Sequence, residues 1–229
     1  MKAVSQPLNY YLQEHATIPD DLGIFLGLSY RMHPDICQFV SEMAYEGRLQ
    51  AAPETSKQSI SLPARGGKFL KRSVGILFSP VEHDGNTQGS DEEVQRIHQI
   101  VDELLGTKLT DRQGKTRNLA LDDILFVAPY NMQVRKLQEC FPKGRVGSVD
   151  KFQGQEAPVV ILSMCSSPDD FGSRGLEFLL DKNRMNVAIS RAQTLTIIVG
   201  DPRIATTQAS TVEQMEKLNL FCRLVQENS

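Results

Sequence analysis

One stretch near the middle of the chain carries the densest set of side chains that could bind a ligand. Residues 147–156 read Gly-Ser-Val-Asp-Lys-Phe-Gln-Gly-Gln-Glu, and they lie between an extended segment that begins at residue 145 and an apolar strand at 158–163. Gly154 lets the backbone approach a ligand closely, and hydroxyl, amide and carboxylate groups have little reason to be buried unpaired. This composition favours a ligand-facing loop over an ordinary polar connection between strands.

Two other segments place arginines where they could meet a phosphate. Tyr30-Arg31-Met32-His33-Pro34 follows an apolar segment, and Asn186-Val187-Ala188-Ile189-Ser190-Arg191-Ala192 ends a predicted helix at Arg191. An aromatic ring can stack on a nucleobase, and a guanidinium group can hold a phosphate through two parallel hydrogen bonds. Helical spacing places Arg184 two turns before Arg191, on the same general side. Each arginine taken alone is typical of a solvated surface side chain, so the chemistry depends on several segments meeting.

Short apolar runs that could form strands alternate with amphipathic helices along the chain. The predicted strands lie at 23–28, 74–78, 124–128, 158–163 and 195–199. The predicted helices begin at Pro34, at the capping box Ser90-Asp91-Glu92-Glu93, after Tyr130 and near Asp181, and a last helix closes the chain. This alternation predicts an α/β fold with three layers, in which a mainly parallel sheet is covered by helices on both faces.

A sheet of this kind binds its ligands at the carboxyl ends of its strands. We therefore expect one edge of the sheet to carry the segments Ser29–Pro34, Pro129–Gln133, Val149–Glu156 and Gly200–Pro202. Two further stretches lack a clear period: we expect an irregular excursion at about 48–72 and a polar surface loop at Thr107–Asn118.

Composition excludes several classes of protein. The chain has 229 residues, of which 40% are hydrophobic and 23% charged, as in a globular protein with an apolar core. The sequence has neither a run of about 18 apolar residues nor a signal peptide, so no membrane partner is expected. The four cysteines form no CxxC pair, which favours reduced thiols in a cytoplasmic protein. A net charge of -3 argues against a strongly basic nucleic-acid surface and leaves room for a local groove.

Four segments, taken in order, resemble the second motor domain of superfamily 1 helicases. They are 30–34 (Tyr-Arg-Met-His-Pro), 128–133 (Ala-Pro-Tyr-Asn-Met-Gln), 148–156 (Ser-Val-Asp-Lys-Phe-Gln-Gly-Gln-Glu) and 184–192 (Arg-Met-Asn-Val-Ala-Ile-Ser-Arg-Ala). The resemblance covers about residues 8–205. It is closest to the branch that holds the RNA helicase of nonsense-mediated decay and the nuclease-helicase that trims Okazaki fragments. It implies a RecA-like fold, ATP with Mg²⁺ as fuel, and a single-stranded nucleic acid as track.

The resemblance also implies roles for single residues. The implied nucleotide contacts are Tyr30, Arg31, Gly154, Glu156, Arg184 and Arg191. Tyr30 would stack on the adenine, Arg31 would reach the γ-phosphate, and Arg191 would be the arginine finger. Gly154 and Glu156 would line the cleft, with Glu156 near the ribose. Pro129, Tyr130, Asn131 and Ser148 match positions that touch the nucleic-acid backbone, and Asp150 and Gln153 match positions that couple the two sites.

The chain departs from the family pattern because it has no G-x-x-x-x-G-K-[ST] phosphate loop. The acidic pair Asp91-Glu92 begins a helix and does not end a strand, so it is no candidate for a magnesium site. We therefore expect the phosphate loop and the Mg²⁺ ligands in a first RecA-like domain of a longer parent chain. Residues 1–22 would then be a helical lead-in, 23–205 the motor domain and 206–229 a closing helix, and this chain alone would be inactive.

Two alternatives follow from the residues. One is a non-catalytic nucleic-acid-binding or regulatory module that keeps the RecA-like fold. The presence of both Arg31 and Arg191 favours the enzyme half, since a module without a phosphate ligand has no need of two such arginines. The other is a dinucleotide-binding domain, which is disfavoured because no Gly-x-Gly-x-x-Gly follows a strand. The sequence leaves open whether the track is DNA or RNA.

Overall fold

The computed structural model describes residues 17–63, 66–168 and 179–228. Its strands, in chain order, are β1 (Leu28–Ser29), β2 (Gln50–Ala51), β3 (Ser59–Ile60), β4 (Gly75–Pro80), β5 (Lys108–Thr110), β6 (Thr116–Asn118), β7 (Ile124–Val127), β8 (Arg145–Gly147), β9 (Ala157–Ser163) and β10 (Ala192–Gly200). Its α-helices are α1 (Pro34–Ala44), α2 (Asp91–Leu104), α3 (Asn131–Cys140), α4 (Lys182–Ile189) and α5 (Val212–Asn228). In these ranges no helix is long and apolar enough to cross a membrane.

A parallel sheet of five strands forms the centre of the described structure, in the order β4-β10-β9-β7-β8. Every pairing within it is parallel, as between Leu195 and Val159 or between Ile124 and Val159. Parallel strands need long connections that return across the sheet, and here most of these connections are helices. The predicted α/β class with a mainly parallel sheet is confirmed.

Alternate residues of each strand feed two separate cores. On β7, Leu125 and Val127 pack on one face, whereas Ile124 and Phe126 pack on the other. The first face is covered by α1, α4 and α5, and the second by α2 and α3. Because both faces are buried, the strands read as continuous apolar runs, which is why the sequence revealed them.

The strand predicted at 23–28 is wrong. Residues 23–27 have no regular structure, and only Leu28 and Ser29 pair, in parallel with Gln50 and Ala51, outside the central sheet. The side chains of Ile24 and Leu26 are 87% and 83% exposed. The apolar run is therefore a surface segment and not a core strand. Of the predicted lead-in, residues 1–16 lie outside the described residues, and a turn occupies 20–22.

The polar loop predicted at 107–118 is also wrong, because it forms the antiparallel hairpin of β5 and β6. The hairpin pairs through β5 with β3, so a small sheet of three strands, β3-β5-β6, stands beside the central sheet. The stretch predicted to be irregular contains β2, a 3₁₀ helix at Pro53–Lys57 and β3. Strands from the two stretches that lack a clear period, 48–72 and 107–118, thus pair in one small sheet.

The two ends of the central sheet carry different residues. We call the end where the strands begin the amino edge, marked by Gly75, Ala157 and Ala192, and the end where they finish the carboxyl edge, marked by Gly147 and Gly200. The predicted site segments divide between these edges and do not share one.

Candidate functional site

The amino edge collects the arginine-bearing segments. Arg191 immediately precedes β10, and Glu156 immediately precedes β9, its neighbour in the sheet. The segment with Tyr30 and Arg31 is tied to the same edge, because His33 N donates to Gln193 O at 2.7 Å. The expectation that Tyr30, Arg31 and Glu156 lie at the carboxyl ends of the strands is wrong. The loops that precede two adjacent strands build this site.

An ion pair between Arg31 and Glu156 stands at the centre of the group. Arg31 Nε donates to Glu156 Oε2 at 2.5 Å, and Arg31 Nη1 donates to Ser190 O at 3.0 Å. The other carboxylate oxygen, Glu156 Oε1, accepts from Gln193 Nε2 at 2.8 Å. Both partners are partly exposed, so the pair orients the two side chains more than it stabilises the fold.

Arg191 lies beside this pair and is held by main-chain carbonyls. Its Nε donates to Val187 O at 3.2 Å, at the end of α4, and its Nη1 donates to Gln155 O at 3.4 Å. Burial, together with the positive charge of Arg31, lowers the pKa of Arg191, although a guanidinium remains charged at any physiological pH. Two arginines therefore face the same space, where a bound anion would relieve their repulsion.

That space is a cleft of about 490 Å³, which we call the arginine cleft. Among the described residues that line it, the charged ones are Arg31, Arg112, Glu156 and Arg191. The ring of Tyr30 also lines it and is 56% exposed. Burial acts to raise the pKa of Glu156, but hydrogen bonds from Arg31 and Gln193 outweigh it and lower this pKa. The carboxylate is therefore charged, and three arginines against one glutamate leave the cleft positive.

Gly154 lies in the loop that leads to Glu156. Its φ of +81° is a left-handed conformation that a side chain would strain, and a Cβ there would meet nothing within 4 Å. The conformation of the turn, and not a crowded neighbour, requires glycine. Phe152, two residues earlier, is buried in the core and fixes the loop to the sheet.

Arg184, which was predicted two turns before Arg191, is not among the described residues that line the arginine cleft. It lies at the start of α4, where it lines a small cavity with Pro129, Val149 and Met164 at the carboxyl edge. Arg184 lies in the first turn of α4, whereas Arg191 follows the last residue of that helix, Ile189. The length of the helix, at about 1.5 Å per residue, therefore separates the two arginines. The positive charge of Arg184 acts on Tyr130, whose pKa it tends to lower.

The residues predicted to touch nucleic acid do lie together, at the carboxyl edge. Pro129 and Tyr130 follow β7, Asn131 begins α3, and Ser148 follows β8, which pairs with β7. Tyr130 is half-buried and hydrogen-bonded to the side chain of Ser166, and burial raises its pKa. Asn131 is exposed.

A buried polar network supports this edge. Glu93 is fully buried, and its Oε1 accepts from Cys165 N at 2.9 Å and lies 2.9 Å from His83 Nε2. Its Oε2 accepts from Ser163 Oγ at 2.5 Å. Burial raises the pKa of Glu93. For His83, burial acts to lower the pKa, but the hydrogen bond to Glu93 and the neighbouring carboxylates outweigh it and raise this pKa.

Gln133 extends the network to helix α3. Its Nε2 donates to Ser163 Oγ at 2.8 Å, and its Oε1 accepts from Ser90 N at 2.8 Å. The capping box predicted at the start of α2 is therefore half right: Ser90 Oγ accepts from Glu93 N at 3.1 Å, but the Glu93 carboxylate turns into the core. Sequence reasoning missed Glu93 and His83 as supports of the site, because capping alone explained the glutamate.

Asp150 and Gln153 lie in the connection between β8 and β9, and both are exposed. A 3₁₀ helix, Asp150–Phe152, occupies the middle of this connection, and Gln153 N donates to Asp150 O at 3.3 Å. Since β8 ends at the carboxyl edge and β9 begins at the amino edge, the connection runs the full height of the sheet. It physically joins Ser148 to Glu156.

Comparison with known proteins adds to this geometry. Residues 8–203 match the family model described as "AAA domain". The chain is 31% identical to helicase sen1 of Schizosaccharomyces pombe, over 77% of this chain and 10% of that protein. It is 32% identical to the DNA polymerase alpha-associated DNA helicase A of the same yeast, over 80% of this chain and 28% of that protein. It is 28% identical to a regulator of nonsense transcripts 1 homolog of Neurospora crassa, over 89% of this chain and 19% of that protein. The chain thus spans between 10% and 28% of the length of these relatives.

Proposed function

We propose that this chain, which belongs to the AAA domain family, is the C-terminal motor domain of an ATP-dependent helicase or translocase. Its relatives are superfamily 1 helicases, as the sequence predicted. In this role it supplies the arginine finger, part of the ATP cleft and part of the single-strand track. The observation that carries the proposal is the arginine cleft, where an exposed ring, two oriented arginines and a charged glutamate meet before two adjacent strands.

The side chains of the arginine cleft fit one face of a nucleoside triphosphate. The ring of Tyr30 offers a surface for a base, Glu156 offers an acceptor for ribose hydroxyls, and Arg31 and Arg191 offer donors for phosphate. Arg191 is held by the carbonyls of Val187 and Gln155, so its guanidinium is oriented before a ligand arrives. A preoriented positive charge lowers the barrier of phosphoryl transfer by neutralising charge on the transferring group.

The other half of the ATP site would come from a first RecA-like domain. The described residues contain no group of three His, Cys, Asp or Glu side chains that could hold a metal ion, and the sequence has no phosphate loop. We propose that the first domain supplies both the phosphate loop and the Mg²⁺ ligands and closes on the arginine cleft. The 229 residues alone are then expected to release no phosphate from ATP above background.

The carboxyl edge would be the track for a single strand. Ser148 can donate its hydroxyl to a phosphate, and the first main-chain N–H groups of α3 point out of the same edge. Asn131 is exposed at the start of that helix. Pro129, Tyr130, Asn131 and Ser148 carry no charge, so binding through them would depend on a few directed contacts and only weakly on salt. The placement of ATP and strand at opposite edges leaves the connection of residues 148–156, with Asp150 and Gln153, as the link between them.

Substitution of Arg191 in the full-length protein tests the proposal. Arg191→Ala should reduce strand-stimulated phosphate release by about 10³-fold, while the affinity for a non-hydrolysable ATP analogue changes far less. Arg31→Ala should reduce both the rate of phosphate release and the affinity for the ATP analogue. Arg184→Ala is the matched control, because it removes the arginine of helix α4 that lies at the opposite edge and should leave nucleotide affinity unchanged.

Two results would contradict the proposal. If Arg191→Ala retained turnover within a few-fold of wild type, Arg191 would not be the arginine finger. If the 229-residue chain alone hydrolysed ATP and Arg191→Ala abolished this activity, the site would be self-sufficient and no first domain would be needed.

A further inference from the structure

The hairpin of β5 and β6 brings a third arginine into the arginine cleft. Arg112 lies on the turn between the two strands, and its Nη1 donates to Tyr30 O at 2.9 Å. The turn is fixed by Asp111, whose Oδ1 accepts from the main-chain N–H groups of Gln113 and Lys115, each at 2.9 Å. A side chain that looked like part of a solvated loop in the sequence is thus held at the mouth of the site.

We propose that Arg112 is a phosphate-binding arginine of the arginine cleft and that the β5–β6 hairpin forms the outer wall of the nucleotide site. The inference rests on the proposed function, because it adds a contact to the same cleft. The small sheet of β3, β5 and β6 would then contribute directly to nucleotide binding by the motor domain.

The charges of the cleft support this role. Arg112 lies close enough to Glu156 for its positive charge to help keep the carboxylate ionised. Arg31 is already paired with Glu156, so Arg112 and Arg191 carry the positive charge that the Glu156 carboxylate leaves unmatched. A guanidinium has five N–H donors, and the bond to Tyr30 O uses one of them. Arg112 can therefore hold the wall of the cleft and bind an anion at once.

A second contact shows that the small sheet orients the same segment. Gln58, which immediately precedes β3, is buried and donates from Nε2 to Arg31 O at 2.9 Å. The carbonyls of two successive residues, Tyr30 and Arg31, are therefore held from this sheet. Gln58 carries no charge, so a substitution of Gln58 would change the orientation of the Tyr30–Arg31 segment without removing a positive charge. It therefore distinguishes the effect of orientation from the attraction of an anion.

The experiment measures binding by full-length protein of a fluorescent ATP analogue, and its displacement by inorganic tripolyphosphate. Arg112→Ala and Arg112→Gln should each weaken the binding of tripolyphosphate by about two- to fivefold, the range for an exposed charged contact. Arg112→Lys should recover part of the loss because it keeps the charge. Lys115→Ala is the matched control: it removes a positive charge from the same turn, at a side chain that lines a different cavity with Thr110 and Gln193. It should bind like wild type.

Three outcomes would overturn the proposal. If Arg112→Gln bound tripolyphosphate as wild type does, while Arg112→Ala and Gln58→Ala both bound it weakly, Arg112 would only orient the Tyr30 segment. If Arg112→Ala weakened the binding of the ATP analogue and left the binding of tripolyphosphate unchanged, Arg112 would contact the nucleoside and not the phosphates. If Arg31→Ala weakened the binding of both ligands and Arg112→Ala weakened the binding of neither, the proposal would fail and the proposed function would stand. Should neither Arg31→Ala nor Arg112→Ala affect the binding of either ligand, the proposed function itself would be wrong.

Discussion

Replacement of Glu93 should destabilise the fold more than replacement of any neighbouring carboxylate of helix α2. Its side chain is fully buried and is contacted by His83, Ser163 and the main-chain N–H of Cys165. Glu93→Leu fills a similar volume but removes every acceptor. The His83 ring and the Cys165 N–H then lose their partner in a site without access to water.

The size of the effect follows from these contacts. A buried donor left unsatisfied costs about 1–3 kcal/mol, and removal of one partner of a buried ion pair costs about 3–5 kcal/mol. The two terms overlap at His83, so the free energy of unfolding should fall by about 3–5 kcal/mol in Glu93→Leu. Glu93→Gln keeps one acceptor, and the Ser163 hydroxyl can rotate to accept from the amide. It should lose only about 1–2 kcal/mol.

Urea unfolding of the 229-residue chain, followed by circular dichroism, measures both losses. Asp91→Asn is the control, since Asp91 lies on the same first turn but is 82% exposed and pairs only with Lys136 at the surface. An exposed pair of this kind contributes about 0–1 kcal/mol. A loss in Glu93→Leu no larger than that of Asp91→Asn would refute the view that the buried network holds the carboxyl edge together.

Two further predictions concern the same edge. The folded-state pKa of His83 is raised above its ordinary value of 6.5, so the stability that its proton contributes is fully present below that pH and is lost as the pH rises through the folded pKa. The raised pKa of Glu93 acts in the same direction, so the free energy of unfolding should fall as the pH rises above about 6.5. The fall should be less steep in His83→Gln, and an equal slope in both proteins would contradict this. Ser148→Ala and Tyr130→Ala should weaken single-strand binding by full-length protein, measured by anisotropy over a salt series, with little change in the salt slope because neither removes a charge. If both variants bound and translocated like wild type, the strand would not cross the carboxyl edge.

The sequence predicted the central sheet well because buried strands leave continuous apolar runs in the sequence. Strands such as β7 and β9 are buried on both faces, and their apolar runs have the length of a strand. The same signal failed at Ile24 and Leu26, since an apolar run does not say what covers it. It also missed β6, whose three residues are all exposed and polar.

The hairpin could have been found from its turn. Asp111 and Gly114 enclose two residues, Asp111 accepts main-chain hydrogen bonds in the manner of an Asx turn, and Gly114 has a φ of +82°. Such spacing predicts a turn between short strands even where hydrophobicity is silent. What no local pattern predicts is that the turn would meet Tyr30, because that contact joins segments 82 residues apart.

Sites at both edges of a parallel sheet follow from its topology. A loop that follows a strand lies at the carboxyl edge, and a loop that precedes a strand lies at the amino edge. A connection between two parallel strands must therefore pass from the carboxyl edge to the amino edge. Between β8 and β9 this passage is made by residues 148–156, with Phe152 buried against the sheet at its centre and Gly154 supplying the turn before Glu156. The connection is too short for a covering helix, so a displacement of Ser148 can reach Glu156 only through this segment or through the sheet itself. Under the proposed function, this segment thus carries a strand contact at the carboxyl edge and a nucleotide contact at the amino edge, with the buried Phe152 between them.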